Sequence, residues 1–132
     1  MGMTDPIADM LARMRNALMV HHQEVVVPHS NLKEAMAALF QEEGYVKNFR
    51  VANDGNRKNI VIHLKYNDLG ESVIRGIKRV SKPGQRVYVN TKNLKPVLGG
   101  LGNGVVSTSR GIKTVKQCIT EKVGGEYICQ IW

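Results

Sequence analysis

Residues 45–66 read YVKNFRVANDGNRKNIVIHLKY, and this stretch decides the fold. Tyr45 to Ala52 is rich in the aromatic and β-branched residues that suit a pleated surface. Asn53-Asp54-Gly55-Asn56 is a turn signal, because Asn, Asp and Gly tolerate the backbone angles of a tight reversal. From Asn59 to Tyr66 the apolar residues Ile60, Ile62 and Leu64 alternate with a period of two, which is a strand and not a helix. Strand, turn and strand make a hairpin, and a hairpin needs a cover for its apolar face.

The cover lies upstream. Thr4-Asp5-Pro6 opens a helix, with Thr or Asp as cap and Pro at the first position. Ile7, Met10, Leu11, Met14, Ala17 and Leu18 recur at three- and four-residue spacing, leaving Arg13, Arg15 and Asn16 largely off the stripe. Val25-Val26-Val27 is a short strand stopped by Pro28. Ser30 is positioned to cap a second helix with Leu32, Ala35, Met36, Leu39 and Phe40 as its apolar face, ended by Gly44. The order helix, strand, helix, strand, strand defines an α+β lobe over residues 1–68.

Downstream, residues 69–132 read as a mainly β lobe with a short helix. Val73 to Ser81 fits strand or helix by period, and its β-branched content with the Lys82-Pro83-Gly84 turn favours strand. Val87-Tyr88-Val89 is a further strand. A glycine run, Gly99-Gly100-Leu101-Gly102-Asn103-Gly104, leads into Val105-Val106 and the polar run Ser107-Thr108-Ser109-Arg110-Gly111. Thr114 to Val123 suits a short helix, Gly124-Gly125 breaks it, and Glu126 to Trp132 closes the chain as a strand.

Charge divides the same way. Residues 1–71 hold 8 Lys/Arg and 9 Asp/Glu, whereas residues 72–132 hold 11 and 2, within a total formal charge of +8. Ser72 to Thr120 contains ten basic residues and no acid. Charge of one sign repels itself unless a polyanion neutralises it. Two cysteines, Cys118 and Cys129, without C-x-x-C spacing or a signal peptide, fit free thiols in a reducing compartment. No apolar stretch approaches the roughly 20 residues that span a bilayer, so a membrane is not an expected partner.

Enzyme chemistry is not legible. His21, His22, His29 and His63 form neither H-E-x-x-H nor a zinc spacing with cysteine, so no metal is expected. The glycine run lacks the registers of a phosphate loop or a dinucleotide fold. Ser30 and Lys33 match S-x-x-K, but Ser at a helix start is a cap. No cofactor and no catalytic residue is expected.

Other constellations suit RNA. Ser107, Thr108, Ser109, Arg110 and Gly111 pack three hydroxyls and a guanidinium beside glycine. Hydroxyls meet base edges, phosphates and 2′-hydroxyls, and Arg forks onto phosphate. A plain polar turn between strands is the alternative. Lys78, Arg79, Lys82 and Arg86 surround Pro83-Gly84, with Tyr88 available to stack on a base or to sit half in the core. Arg13, Arg15 and Asn16 are either the polar face of an ordinary helix or, with the Ser30–Lys33 turn, a second hold from the first lobe. Basic residues on strands and turns, with no recognition helix, argue against a DNA-binding protein.

Several segments in one order are more specific than any of these. Met3-Thr4-Asp5-Pro6-Ile7-Ala8-Asp9-Met10-Leu11 with Arg13-Met14-Arg15-Asn16-Ala17, then Glu42-Glu43-Gly44-Tyr45 and Leu64-Lys65-Tyr66, come first. Ser81-Lys82-Pro83-Gly84-Gln85-Arg86-Val87-Tyr88, Gly100-Leu101-Gly102, Val105-Val106-Ser107-Thr108-Ser109-Arg110-Gly111 and Gly124-Gly125-Glu126 follow. Over essentially its whole length the sequence resembles the bacterial-type small-subunit ribosomal protein eight family. The resemblance implies a two-lobed α+β fold and a non-enzymatic, early binder of the central domain of small-subunit ribosomal RNA. Ribosomal protein neighbours are implied as partners, with no homo-oligomer required, on ribosomes of the cytoplasm or of an organelle. Some family members also repress their own operon by binding messenger RNA that mimics the ribosomal site.

By the same resemblance Ser107, Thr108, Ser109, Arg110, Gly111, Lys82, Arg86, Tyr88 and Glu126 form the RNA site. Apart from the resemblance, Lys113, Thr4, Arg13, Arg15, Asn16, Ser30 and Lys33 are expected as further contacts. This chain departs from the family in three places. Lys113-Thr114-Val115 stands where Met-Thr-Asp is frequent, Lys122 where a Gly is common, and Asn103-Gly104 where a more apolar pair occurs.

Overall fold

A computed structural model describes residues 5–95 and 102–132. The expected contact at Thr4 and the glycines Gly99 and Gly100 lie outside the described residues. The fold is α+β and divides into two compact units. One is Ile7–Arg75. The other joins the segment up to Pro6 with Gly76–Trp132.

Ile7–Arg75 is organised by the hairpin. The first helix, α1, is Pro6–Met19, and the second, α2, is Asn31–Glu42. The strands are β1 (Glu24–Pro28), β2 (Val46–Asp54) and β3 (Arg57–Leu64), in the antiparallel order β1-β3-β2. Asp54 faces Arg57, so the turn is Gly55-Asn56, and Gly55 supplies the positive φ of 62°. β3 is central and carries the fully buried Ile60 and Ile62. Met10 and Met14 from α1 and Met36 and Phe40 from α2 are buried as completely. Each such side chain contributes about 1.5–3 kcal/mol.

Ser30 caps α2, its hydroxyl accepting from the Lys33 amide at 3.1 Å. Gly44 takes φ of 82° just past the helix end, the left-handed turn that glycine provides without strain.

The second unit carries one five-stranded sheet, with β4 (Ile77–Arg79), β5 (Tyr88–Val89), β6 (Asn103–Thr108), β7 (Gly111–Thr114) and β8 (Gly125–Ile131). β8 is its spine. β6 pairs along one edge, while β4 and then β5 pair along the other. A short helix, α3 (Val115–Glu121), follows Thr114, which forms a reciprocal capping box with Gln117. Val106, Val115, Cys118, Tyr127 and Leu94 form the core here. Both cysteines are free and buried, and burial pushes the Cys129 thiol up to about 12.

Two sequence expectations differ from the structure. Within Val73–Ser81 only Ile77–Arg79 is strand, although the Val80 and Ser81 amides still donate to the Ile128 and Tyr127 carbonyls of the closing strand. The polar run 107–111 is not a loop: Ser107 and Thr108 end β6, only Ser109-Arg110 turn, and Gly111 begins β7, a strand not anticipated. Of Asn103-Gly104, where a more apolar pair was expected, the glycine is explained by packing. A Cβ on Gly104 would strike the Tyr127 hydroxyl and Val115.

Lys122 ends α3 at φ 57°, ψ 45°, a left-handed conformation that costs a residue with a Cβ about 1 kcal/mol or more. Lys122→Gly therefore stabilises the chain by about 0.5–1 kcal/mol after allowing for glycine's freer unfolded chain. Urea unfolding will show a higher midpoint with an unchanged slope.

Candidate nucleic-acid interface

The register of the second sheet places the expected residues. Tyr88 faces Glu126 across β5 and β8, and Glu126 faces Ser107 across β8 and β6. Directly paired residues project from the same side of a sheet. Tyr88, Glu126 and Ser107 therefore form a row on the side opposite Tyr127 and Val106, which enter the core. One residue further on, Val89, Gly125 and Thr108 pair in the same way. This crossing is tight: a Cβ on Gly125 would overlap the Ser107 carbonyl, and one on Gly124 the Val89 carbonyl.

Glu126 organises the row. One of its carboxylate oxygens accepts from Ser81 Oγ at 2.6 Å and from Arg86 Nη1 at 2.8 Å. Ser81 is fully buried, and its hydroxyl also accepts from the Val87 amide at 3.0 Å. Lys82 and Gln85 exchange backbone hydrogen bonds across Pro83-Gly84. The Lys82–Arg86 turn is thus tied to β8 through one carboxylate. Burial opposes ionisation of Glu126, but the Ser81 and Arg86 hydrogen bonds and the nearby guanidinium charge outweigh it and hold the carboxyl below its ordinary range.

The β6–β7 turn is fixed by Thr108. Its hydroxyl donates to the Gly111 carbonyl at 2.8 Å and accepts from the Arg110 amide at 3.0 Å. Gly111 has φ of 102°, which demands glycine. Ser109 and Arg110 are left at the exposed tip, and Arg110 is 3.9 Å from Glu121.

The expected residues therefore sort by what they touch. Tyr88, 69% exposed, lies beside Glu126, which separates it from Ser107, and follows the turn with Lys82 and Arg86; Ser109 and Arg110 stand at the other turn. Thr108, Gly111 and Glu126 shape this surface from within. Lys113 belongs to the opposite side, where it pairs with Val106 across the strands and its amine lies 3.4 Å from Glu121. Arg79, read as part of the basic turn, instead binds Asp5 at 3.2 and 3.3 Å and the Ile128 carbonyl at 2.7 Å. Ser81 was not singled out from the sequence. Its only signal was its place ahead of Lys82-Pro83-Gly84.

In the unit Ile7–Arg75, Arg13, Arg15 and Asn16 are exposed on α1. Arg13 donates to Asp9 at 2.9 Å and to the Val26 carbonyl at 3.2 Å. Lys33 does not fit the contact expected of it. It is 4% exposed, and burial pushes its amine pKa down against the pull of Asp9. The Ser30 side chain is engaged as the cap. No group of three His, Cys, Asp or Glu among the described residues could hold a metal ion, and no helix among them is long and apolar enough to cross a membrane.

The chain thus joins a two-unit α+β fold to a polar, hydroxyl- and arginine-bearing strand surface. The family model for ribosomal protein S8 matches residues 5–132, and the chain belongs to that family. It is a family of ribosomal proteins and not of enzymes. The chain is similar to small ribosomal subunit protein uS8 of Clostridioides difficile (strain 630), at 52% identity over all of both chains. It is similar to the same-named protein of Finegoldia magna at 51%, over 98% of this chain and 99% of that one. The Saccharopolyspora erythraea protein of that name is 49% identical over all of both chains.

Two outcomes test this geometry. Gly125→Ala forces β8 from β6 and costs about 3 kcal/mol, whereas exposed Tyr88→Ala changes stability by no more than about 0.5 kcal/mol, both read by chemical unfolding. Glu126 has a depressed folded pKa, so its stabilisation is present above the unfolded carboxylate pKa and is lost as pH falls through the folded value. Glu126→Gln removes that contribution at neutral pH and flattens the acid limb of stability against pH.

Proposed function

We propose that the chain is a structural constituent of the small ribosomal subunit and binds small-subunit ribosomal RNA through the row Tyr88–Glu126–Ser107 and the turns at its ends. The observation that carries this reading is the Glu126 carboxylate fastening the basic turn Lys82–Arg86 beside a strand end rich in hydroxyls. Lysine and arginine give salt-dependent affinity for phosphate. Ser107 and Ser109 and nearby backbone groups read a folded shape, and Tyr88 offers a face to an unpaired base. The names of the relatives and the ten basic residues without an acid from Ser72 to Thr120 support the same reading. Arg13, Arg15 and Asn16 add contacts from α1. A messenger RNA with the same local fold would be accepted by the same groups, the basis for self-repression of an operon.

Filter binding to the folded central-domain RNA tests the reading. Arg86→Ala weakens binding to every RNA and lowers the log–log salt slope by about 1. Ser109→Ala instead costs discrimination, about 1–2 kcal/mol between the native RNA and a scrambled one. Equal affinity of the wild-type chain for both RNAs, or for duplex DNA in competition, would reject it.

A further inference from the structure

The unit Ile7–Arg75 carries a concavity of about 530 Å³ lined by His21, Gln23, Lys47, Leu64, Lys65 and Tyr66, none of which belongs to the interface above. His21 follows α1 and holds φ of 58°, a left-handed conformation that is strained for a residue with a side chain. Its ring stacks on Tyr66 with centroids 5.6 Å apart and planes 22° from parallel. Tyr66 is held in place because its hydroxyl donates to the His22 carbonyl at 2.6 Å. At that separation nothing fits between the rings, but His21 is exposed and presents its outer side.

The rest of the lining is complementary. Leu64 is buried and gives an apolar floor, while Gln23 is exposed and offers an amide that both donates and accepts. Lys47 and Lys65 are exposed, and among the described residues neither has an ion-pair partner. A flat π surface, an adaptable amide and two ammonium groups around one hollow match a planar base attached to a phosphate.

We propose that this concavity binds a nucleotide, with the base stacked on the outer side of His21 and the phosphate between Lys47 and Lys65. The nucleotide comes either from an unpaired position of an RNA strand or from the free pool. In its RNA arm this deepens the reading of the chain as an RNA binder.

The test is an NMR titration of the full chain with adenosine monophosphate and, separately, with a short single-stranded oligoadenylate. Saturable shifts of the His21 and Tyr66 ring signals are expected. The double variant Lys47→Gln/Lys65→Gln, which changes only surface groups, weakens binding about tenfold and flattens its salt dependence. His21→Gly keeps the left-handed backbone, removes the ring and weakens binding by a similar factor. Saturation by the mononucleotide supports a free ligand, and saturation by the oligonucleotide alone supports a strand. No shift with either probe, or shifts that survive both variants, overturns the proposal. Because neither probe is a folded ribosomal RNA, failure of the RNA reading and failure of this one are separately visible.

Discussion

The basic unit depends on β8 being paired along both edges. A central strand has no free edge, and every strand of that sheet except β7 is hydrogen-bonded directly to it. Two glycines at its start make this possible, because β5 and β6 approach so closely there that no Cβ fits. The surface proposed for RNA is a consequence of that closeness. Tyr88, Glu126 and Ser107 come from three separate strands and become neighbours only through β8.

Glu126 resolves an apparent contradiction in a surface proposed to meet a polyanion. An acid there repels phosphate, yet its charge is already opposed by Arg86 and met by the Ser81 hydroxyl. Its part is to hold the Lys82–Arg86 turn in one conformation before any ligand arrives. A turn that is ordered in advance loses less entropy on binding than a loose one. In the proposed complex the Arg86 guanidinium is shared between this carboxylate and a phosphate.

Much of this was legible in the sequence because it is encoded locally. The hairpin of residues 45–66 shows its period and its turn, Ser30 and Thr114 sit where caps and helix starts belong, and the closing strand is continuous. The hidden parts are those set by distant partners. Arg79 meets Asp5 across 74 positions of sequence, so charge counting assigned it to the solvent-facing turn. Lys33 follows a capping serine at an ordinary helix start, and only the packed core around it reveals that it is buried. β7 escaped notice because a two-residue turn inside a polar run leaves no apolar alternation on either side. Lys113 was read as facing RNA, since strand register alone tells which side a residue of an unrecognised strand occupies.

The place of β8 in the chain also bears on how the molecule is made. Synthesis runs from the N-terminus, so β4, β5 and β6 are all made before their common partner exists. Until residues 125–131 emerge, those segments have open edges and an uncovered apolar side, the condition in which strands pair with the wrong neighbour. The hairpin unit has no such delay, because its pairings close within residues 24–64. One half of the protein can thus mature during translation, while the other waits for its last strand.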